Sequence, residues 1–599
     1  MKIKQRAGLL IGLFFILTGN FAVFSRFDSE YNTETAVDAI NGTDQVNTYI
    51  NVAGHKIALW QQDDLSYAFL PSACKGMDLK PEIPEETDPD SIEWLYSENI
   101  PAVFIDTESG TAEQIHADKN VKEAGEISVL EADGVTSFRM PLSYIKSRGN
   151  TSFTSYEKKS YQIKLTDSVS FLGMDAAKKW VFISNASDTT LLRNALTRNL
   201  ANHLGLAQSE EGVFVDLYLN GEYTGNYYVT EKVEVRENRL PITDLEEATE
   251  IVNDNEDLGF YETAWTDTTK AKLIPNDPED ITGGYLIERD FDNRFLEEVE
   301  INNSYFITEA KESFIVRAPE YASENQIAYI NDYIQSVENA ILSSDGIDEG
   351  SGKSYQDLID VDSFVRKYLL EEVAANYDGG VASSYFYKDR DCVSEKLYAG
   401  PIWDYDVTWG NSPTYLGYLS KSPERLTRLA FHADSSVWFP ALYEKTDFHR
   451  GMRSCYQEEI SPYLSALALQ VLPQLEKTTA ASAAMDRVRW AAQYAESEAL
   501  GSREEEIDFL ADYILMRKEF LDKAWIEQIP VRQIELMIEN NPYDTLYVFE
   551  GEPMPKLPDV ELSYAEFIGW VSEKDGMPPD QSTSVYEDMV FHAVIDDMM

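Results

Sequence analysis

The sequence predicts an α+β protein in which a strand-rich region precedes a helix-rich region, with a small β-rich module on either side. Strand-like apolar runs separated by short turns fill residues 100–184, and apolar residues recur at helical spacing between residues 323 and 527. An acidic, proline-punctuated stretch at 81–90 separates the first apolar strands from this central part. A strand-rich lobe followed by a helix-rich lobe favours a cleft between them, where ligand sites are common.

Composition divides the chain into five predicted segments. At 599 residues the chain exceeds the size at which one hydrophobic core stops growing, and 43% hydrophobic residues are enough for folded domains. The segments are a signal peptide or signal anchor (1–25), a polar tether (26–45), a small β module with the acidic linker (46–94), a large central domain (95–530) and a second small β module (531–599).

The N-terminus has the pattern of a secretory segment. Lys2, Lys4 and Arg6 precede an apolar run at 7–17 that continues, less purely, to residue 24. No clear small-x-small cleavage site follows, so retention as a membrane anchor is an alternative to cleavage. We therefore expect an extracytoplasmic protein at a bacterial cell surface, secreted or anchored in the membrane through this segment.

The charge balance excludes one class of partner. The chain carries 105 acidic and 50 basic residues, a formal net charge of −55, which repels nucleic-acid phosphates and anionic lipid headgroups. We expect no nucleic-acid partner. The same field attracts divalent metals and basic protein segments, although plain solubility of a secreted protein explains it equally well. Three scattered cysteines are too few for a disulfide framework or a zinc site.

The elements of the central domain follow from periodicity and turn residues. Asp188 is a plausible N-cap of a helix, and Asn220-Gly221 is a strong hairpin turn. Residues 244–280 look like an acidic insertion, and 378–420 like an irregular segment between helices. The other predicted elements are strands at 102–105, 126–130, 138–145, 160–165, 180–184 and 284–287, and helices at 323–343, 362–377, 447–475, 480–499 and 502–527.

Three aspartates are the candidates for chemistry. Asp378 directly follows a predicted helix, and two glycines behind it let the chain turn sharply. Asp404 and Asp406 alternate with aromatic residues, so on an extended strand both carboxylates would face one side. Phosphoryl transfer needs one carboxylate for the acceptor hydroxyl and others for divalent ions. A glycosidase carboxylate pair, a calcium site and structural turn-capping aspartates fit the same residues.

Seven segments, in chain order, resemble the spore-coat CotH kinase family over roughly residues 95–530. They are IKSRGNTS at 145–152, KKSYQIKL at 158–165, WVFISNASD at 180–188 with LRN at 192–194, LYLNGEYTGNY at 217–227 with Glu231, NYD at 376–378, GPIWDYD at 400–406 and RKEFL at 517–521. No single segment is decisive, but seven in order are highly specific. The resemblance implies an atypical protein-kinase-like bilobal domain that binds ATP and Mg²⁺, with Mn²⁺ or Ca²⁺ as alternatives, and phosphorylates Ser or Thr of a protein substrate.

The resemblance also implies roles for individual residues. Asp378 takes the place of the catalytic aspartate and Asp404 that of the metal-binding aspartate. Further expected metal ligands are Asp406 and Asn376. Lys164 is the expected phosphate-contacting lysine, with Lys159 and Arg148 as rivals, and Glu231 is its expected ion-pair partner; Trp403 lies within the aspartate motif. A basic side chain is needed to offset phosphate charge in so acidic a protein.

The chain departs from kinase-like patterns at two points. Ser383 and Ser384 stand where such sites often offer an asparagine to metal, and a glycine-rich nucleotide loop is not evident. A hydroxyl is a poorer magnesium ligand than an amide oxygen. Two alternatives to an active kinase therefore stay open: an inactive kinase-like scaffold or adhesin, and a carbohydrate-processing or carbohydrate-binding surface protein, since Trp and Tyr beside carboxylates suit sugar rings.

The C-terminal module resembles the β-grasp repeats of internalin-type bacterial surface proteins. The resemblance is carried by YVFEGE at 547–552, FIGWV at 567–571 and VYEDMVFHAV at 585–594. From charge and the family resemblance together, we expect basic, Ser-rich segments as the phosphate acceptors.

Overall fold

The structure is a computed structural model that confirms the α+β class. It describes residues 46–62, 65–75, 82–83, 88–209, 212–290, 304–411, 421–430, 435–496, 501–562 and 565–597. The predicted signal segment at 1–25 and the tether at 26–45 lie outside these residues. Within them, no helix has both the length and the apolar character needed to cross a bilayer.

The chain divides into two compact units. One covers Val37–Trp409 and Thr427–Leu515, and the other includes Gly410–Leu426 and Met516–Met599. All the predicted site residues belong to the first unit.

The first unit begins with a four-stranded sheet. Its strands are β1 (Val46–Val52), β2 (His55–Gln62), β3 (Leu65–Leu70) and β4 (Ile92–Tyr96), paired in that order. Its apolar residues share one buried cluster with Phe104, Tyr218 and Met485, which come from the regions that follow. The segment 46–94 therefore packs against the next sheet, and its independence as a module stays a prediction.

A closed seven-stranded barrel follows. Its strands are β5 (Ala102–Thr107), β6 (Glu123–Leu130), β7 (Thr136–Arg148), β8 (Ser160–Phe171), β9 (Met174–Ile183), β10 (Val213–Leu219) and β11 (Glu222–Glu231), and the order around the barrel is β10-β11-β9-β8-β7-β6-β5. A parallel pairing of β5 with β10 closes it. Ile163 and Leu165 fill the interior, whereas Gln162 and Lys164 alternate with them on the outer face. The predicted strands and the Asn220-Gly221 hairpin are confirmed.

A seven-stranded antiparallel sheet lies in the helix-rich part. Its strands are β12 (Thr263–Trp265), β13 (Thr269–Lys272), β14 (Tyr285–Arg289), β15 (Tyr305–Ile307), β16 (Ser313–Ala318), β17 (Ser384–Lys388) and β18 (Leu397–Ala399), in the order β12-β13-β15-β16-β14-β17-β18. It meets the outer face of the barrel in a buried cluster that includes Val181, Leu286 and Tyr385. Of these strands the sequence predicted only β14. β12 and β13 lie in the expected insertion, and β17 and β18 lie in the segment that was expected to be irregular.

The described residues also form helices of different lengths. The longer ones are Arg193–His203, Leu245–Val252, Glu324–Leu342, Val361–Val373, Thr446–Cys455, Leu472–Arg489 and Arg503–Leu521. Short helices are Glu113–Ala117, Thr151–Ser155, Tyr355–Leu358, Trp438–Tyr443, Ser461–Ala466 and Ala491–Glu496, and π-helical turns occur at Tyr456–Ile460, Leu467–Val471 and Asp522–Ile526. Because the π turns interrupt it, the predicted helix at 447–475 is a series of shorter segments.

The helix expected to begin at Asp188 begins at Arg193 instead. The Asp188 carboxylate accepts hydrogen bonds from the backbone N–H groups of Thr190, at 3.0 Å, and Arg193, at 2.8 Å. It also pairs with the Arg193 guanidinium, at 2.5 Å. Asp188 therefore accepts a hydrogen bond from the N–H group of the first helical residue, Arg193, although it lies five residues earlier in the chain.

The second unit contains a four-stranded mixed sheet. Its strands are β19 (Val531–Ile538), β20 (Asn541–Phe549), β21 (Ala565–Ser572) and β22 (Met589–Asp597), in the order β20-β19-β22-β21. β19 and β22 are parallel neighbours. Ile534, Leu536 and Phe591 are in its own core. A small C-terminal sheet is thus present, and its kinship with internalin-type repeats stays a prediction.

Candidate functional site

Two loops of the helix-rich region lie side by side and carry the three aspartates. The first follows the helix Val361–Val373, and the second follows β18. The Tyr377 N–H donates to the Val407 carbonyl at 3.3 Å, and the Trp409 N–H donates to the Ala374 carbonyl at 2.7 Å. These two backbone bonds bring the predicted Asp378 segment against the predicted Asp404–Asp406 segment.

The turn that carries Asp378 is closed by local hydrogen bonds. The Asn376 Oδ1 accepts from the Asp378 N–H at 3.1 Å, and the Asp378 carbonyl accepts from the N–H groups of Val381 and Ala382 at 2.9 and 3.1 Å. Gly380 has φ +75°, and a Cβ there would lie 3.2 Å from the Leu429 carbonyl oxygen. A residue without a side chain is therefore needed at the turn.

Neighbouring elements hold this turn from its other side. The Arg289 guanidinium, on β14, donates to the Val381 carbonyl and pairs with the Glu312 carboxylate. The Ser436 N–H donates to the Gly380 carbonyl at 2.7 Å. The position of Asp378 is thus fixed by the second sheet as well as by its own helix.

The second loop is irregular where the sequence suggested an extended strand. Asp404 has φ +68°, in the left-handed region that few residues with side chains adopt. Tyr405 is buried while Asp404 is exposed and Asp406 is half-buried. The Tyr405 N–H donates to Asn194 Oδ1 at 2.9 Å. Asp404 and Asp406 are therefore both more exposed than the tyrosine between them, although the backbone there is not a strand.

The three carboxylates are close enough to act on one another electrostatically. Burial and, after it, the charges of Asp404 and Asp378 together raise the pKa of Asp406 to about 7, although a hydrogen bond from the Ser187 hydroxyl opposes the shift. The Ser383 hydroxyl donates to Asp404 Oδ2 at 3.4 Å. The site thus collects like charges and two hydroxyl groups at one place.

The predicted metal ligands are only partly engaged with this cluster. Asn376 Nδ2 donates to Glu371 Oε2 at 2.7 Å, so the Asn376 amide braces the turn. The Ser384 hydroxyl donates to the Ala382 carbonyl at 3.4 Å and not to an aspartate. In the described part of the chain, no group of three or more His, Cys, Asp or Glu side chains has a geometry that would hold a metal ion.

Among the predicted basic residues, Arg148 lies at the site. Its guanidinium carbon is 4.7 Å from the centre of the Trp403 ring, which is itself nine-tenths buried and precedes Asp404. This contact links the end of β7 to the second loop. Arg148 also acts electrostatically on Tyr385, on β17.

The other basic candidates lie elsewhere on the barrel. Lys159 donates to the carbonyls of Phe153 and Tyr156 at 2.7 and 2.6 Å. Burial lowers the pKa of Lys164, and so do the charges of Lys179, Lys178 and Lys122, whereas Glu234 opposes the shift. Among these described neighbours of Lys164 there is no site aspartate.

The described ion pair of Glu231 is with a cation other than Lys164. Its carboxylate pairs with the Arg239 guanidinium, and both side chains are almost fully buried. The Arg239 guanidinium carbon lies 4.6 Å from the centre of the Trp180 ring. The structure thus shows a pairing of Glu231 with Arg239, and its pairing with Lys164 stays a prediction.

Sequence reasoning did not assign Ser187, Glu371 or Tyr405 to the site. Ser187 lies within a motif that carried the family resemblance, so that motif was the available signal. Glu371 lies on the helix Val361–Val373, which also carries Asp362, Arg366, Lys367 and Glu372, so residue type alone did not indicate that Glu371 is buried.

Comparison with known proteins identifies the family. A search of curated proteins found no match. The family model described as CotH kinase protein matches residues 145–521, more than half of the 599-residue chain, and this range includes all three aspartates. The family points to an atypical kinase, and through it to ATP, a divalent metal and a protein substrate. The chain belongs to the CotH kinase family.

Proposed function

We propose that this protein is an active kinase that transfers the γ-phosphate of ATP to Ser or Thr of a protein substrate on the extracytoplasmic side of the membrane. The observation that supports this most strongly is the convergence of Asp378, Asp404 and Asp406 on two loops joined by backbone hydrogen bonds. Basic, Ser-containing segments are the proposed acceptors, because a chain of net charge −55 attracts them.

The three carboxylates divide into two proposed roles. Asp378, on its braced turn, orients or deprotonates the acceptor hydroxyl. Asp404 and Asp406 hold the divalent ion, with Asn376 and Ser383 as supplementary ligands. The donor set fits such an ion because oxygen ligands suit Mg²⁺ and because two neighbouring charges raise the pKa of Asp406. When bound, the ion would neutralise charge on the polyphosphate.

The outer face of the barrel supplies the proposed nucleotide side. Arg148, on β7, already reaches Trp403. Lys164 on β8 and Lys179 on β9 are paired neighbours on the same pair of strands. Burial lowers the pKa of Lys232 to about 8, with Lys179 adding to the effect. Cations that repel one another in this way suit polyphosphate, whose charge would relieve the repulsion.

Phosphate incorporation tests the proposal directly. The purified protein, given labelled ATP with Mg²⁺ or Mn²⁺, should label itself or a basic Ser-containing peptide. Asp378→Asn and Asp404→Asn should each lower the rate by about 10²–10⁴-fold. Asp362→Asn is the matched control, because Asp362 is exposed and pairs only with Arg366 among the described ion pairs. Equal rates in all variants would overturn the assignment.

An inactive kinase-like scaffold is the second candidate. It is favoured by the lack of a metal-holding group among the described residues and by the pairing of Glu231 with Arg239. A scaffold would incorporate no label, and saturating ATP with Mg²⁺ would leave its melting temperature unchanged.

A further inference from the structure

A buried hydrogen-bond network lies beneath the two aspartate loops, and Glu371 is at its centre. Glu371 is 2% exposed and lies near the end of the helix Val361–Val373. One carboxylate oxygen, Oε2, accepts from Asn376 Nδ2 at 2.7 Å. The other, Oε1, accepts from the Tyr405 hydroxyl at 2.8 Å. A single carboxylate therefore touches a residue of each loop.

Both contacts lead directly to the aspartates. Asn376 Oδ1 accepts from the Asp378 N–H at 3.1 Å, so the amide that binds Glu371 also fixes the Asp378 turn. Tyr405 lies between Asp404 and Asp406 and is 2% exposed. Any displacement of its ring would move both flanking carboxylates.

Lys367 completes the network. It is one helical turn before Glu371, it pairs with the Glu371 carboxylate, and its ammonium group donates to the Tyr405 oxygen at 3.1 Å. Lys367 is 1% exposed. A buried ion pair that also satisfies a tyrosine and an amide has few alternative arrangements, because any other geometry leaves a buried charge without its partners.

We propose that Glu371 is a positioning residue that couples the two loops. A disturbance of the Asp404–Asp406 loop is then transmitted to the Asp378 turn. This proposal rests on the proposed function for its role in catalysis, but the coupling itself is a property of the fold. Glu371 acts through Asn376 and Tyr405, and it touches none of the three aspartates in the described contacts.

Glu372 offers a matched comparison. It is the next residue on the same helix, 1% exposed, and its carboxylate accepts from the Thr427 N–H and the Thr427 hydroxyl, both at 3.0 Å. These two contacts hold the segment near Thr427. Tyr218 is the matched tyrosine, fully buried with its hydroxyl donating to the Phe69 carbonyl at 3.1 Å.

Amide hydrogen exchange on the full chain tests the coupling without any ligand. Tyr405→Phe removes one hydroxyl and should speed exchange by about tenfold both in its own loop and at the N–H groups of Asp378, Val381 and Ala382. Glu371→Gln should speed exchange in the same two loops. Tyr218→Phe should leave both loops at the wild-type rate, and Glu372→Gln should leave the Asp404–Asp406 loop at that rate.

Faster exchange in Tyr405→Phe that is confined to residues 403–409 would overturn the proposal, since the turn would then keep its position alone. If Glu371→Gln unfolds the protein, Tyr405→Phe decides the question by itself. Mn²⁺ titration of the same variants separates the two proposals. A wild type that binds no Mn²⁺ counts against the kinase function, whereas Mn²⁺ affinity equal in wild type and Tyr405→Phe counts against the positioning role.

Discussion

Carboxylates lie both at the contact between the barrel and the helix Leu472–Arg489 and at the candidate site, but their charge is balanced differently at the two places. Asp486 is fully buried and pairs with Lys158, 1% exposed, at 2.5 Å. It also accepts from the Asn226 N–H and the Tyr494 hydroxyl, both at 2.8 Å. Asp406 instead has two carboxylates among the groups that set its pKa.

The difference separates a structural role from a functional one. A buried carboxylate that serves the fold is supplied with a cation and donors by the chain itself. Carboxylates that repel one another cost stability and are typical of sites whose cation comes from solution. By this criterion Asp486 holds the barrel to a helix, and Asp404 and Asp406 fit the proposed cation site.

The largest expected effect is a loss of stability when the buried pair of Lys158 and Asp486 is broken. Lys158→Met would leave Asp486 buried without its cation, and the free energy of unfolding should fall by about 3–5 kcal/mol. Chemical denaturation measures this change. Lys353→Met is the control, because Lys353 and Glu395 form an exposed pair, and its effect should stay within about 0.5 kcal/mol. Similar losses of stability in Lys158→Met and Lys353→Met would contradict a structural role for the buried pair of Lys158 and Asp486.

The next effect is a pH dependence near the same buried pair. Burial raises the pKa of Asp216 from 3.8 to about 6, although hydroxyl groups of Ser482, Ser97 and Tyr223 oppose the shift. The folded state therefore binds the proton more tightly than the unfolded state, and the stability contributed below pH 4 is lost as pH rises through 6.

Asp216→Asn should remove this loss. Its free energy of unfolding, relative to wild type, should rise by about 2 kcal/mol between pH 4 and pH 7. Because the other titrating groups are common to both proteins, the difference isolates Asp216. A difference that stays constant with pH would show that Asp216 ionises normally in the fold.

A smaller effect of opposite sign is expected at the candidate site. Asp404→Asn removes one of the two charges that act on Asp406, so in the absence of divalent ions the free energy of unfolding at pH 7 should rise by about 1 kcal/mol. Denaturation in the presence of a chelator measures it. A loss of stability would mean that Asp404 serves the fold.

The smallest effect is expected at Arg148. Arg148→Leu removes the cation from the Trp403 ring and should lower the free energy of unfolding by about 0.5–1 kcal/mol. The free energy of ATP binding should weaken by more than this loss of stability. Isothermal titration calorimetry measures the binding. Unchanged ATP affinity would exclude Arg148 from the nucleotide site.

The barrel strands were predictable one by one, but their closure was not. Alternation such as Ile163 and Leu165 against Gln162 and Lys164 gives a strand and its inner face. Closure depends on the parallel pairing of Val103 with Leu217, which are far apart in the chain, and no local pattern encodes that pairing.

The acidic residues of the candidate site were predictable from the sequence, but the residues that hold them in position were not. Asp378, Asp404 and Asp406 came from residue type and motif. The φ of +68° at Asp404 depends on tertiary contacts such as the bond from Tyr405 to Asn194, so alternation wrongly suggested a strand. Lys367 and Glu371 have the spacing of a solvent-exposed helix pair, and only packing shows that they are buried.

Binding of ATP with a divalent ion tests the central claim most directly. We predict that wild-type protein in ATP and Mn²⁺ at about 100 times the dissociation constant gains about 2.7 kcal/mol of unfolding free energy. Asp404→Asn, which should be the more stable protein without ligand, should gain almost none. A wild type that the ligands leave unchanged, or an Asp404→Asn variant stabilised as much as wild type, would contradict a cation site at these aspartates.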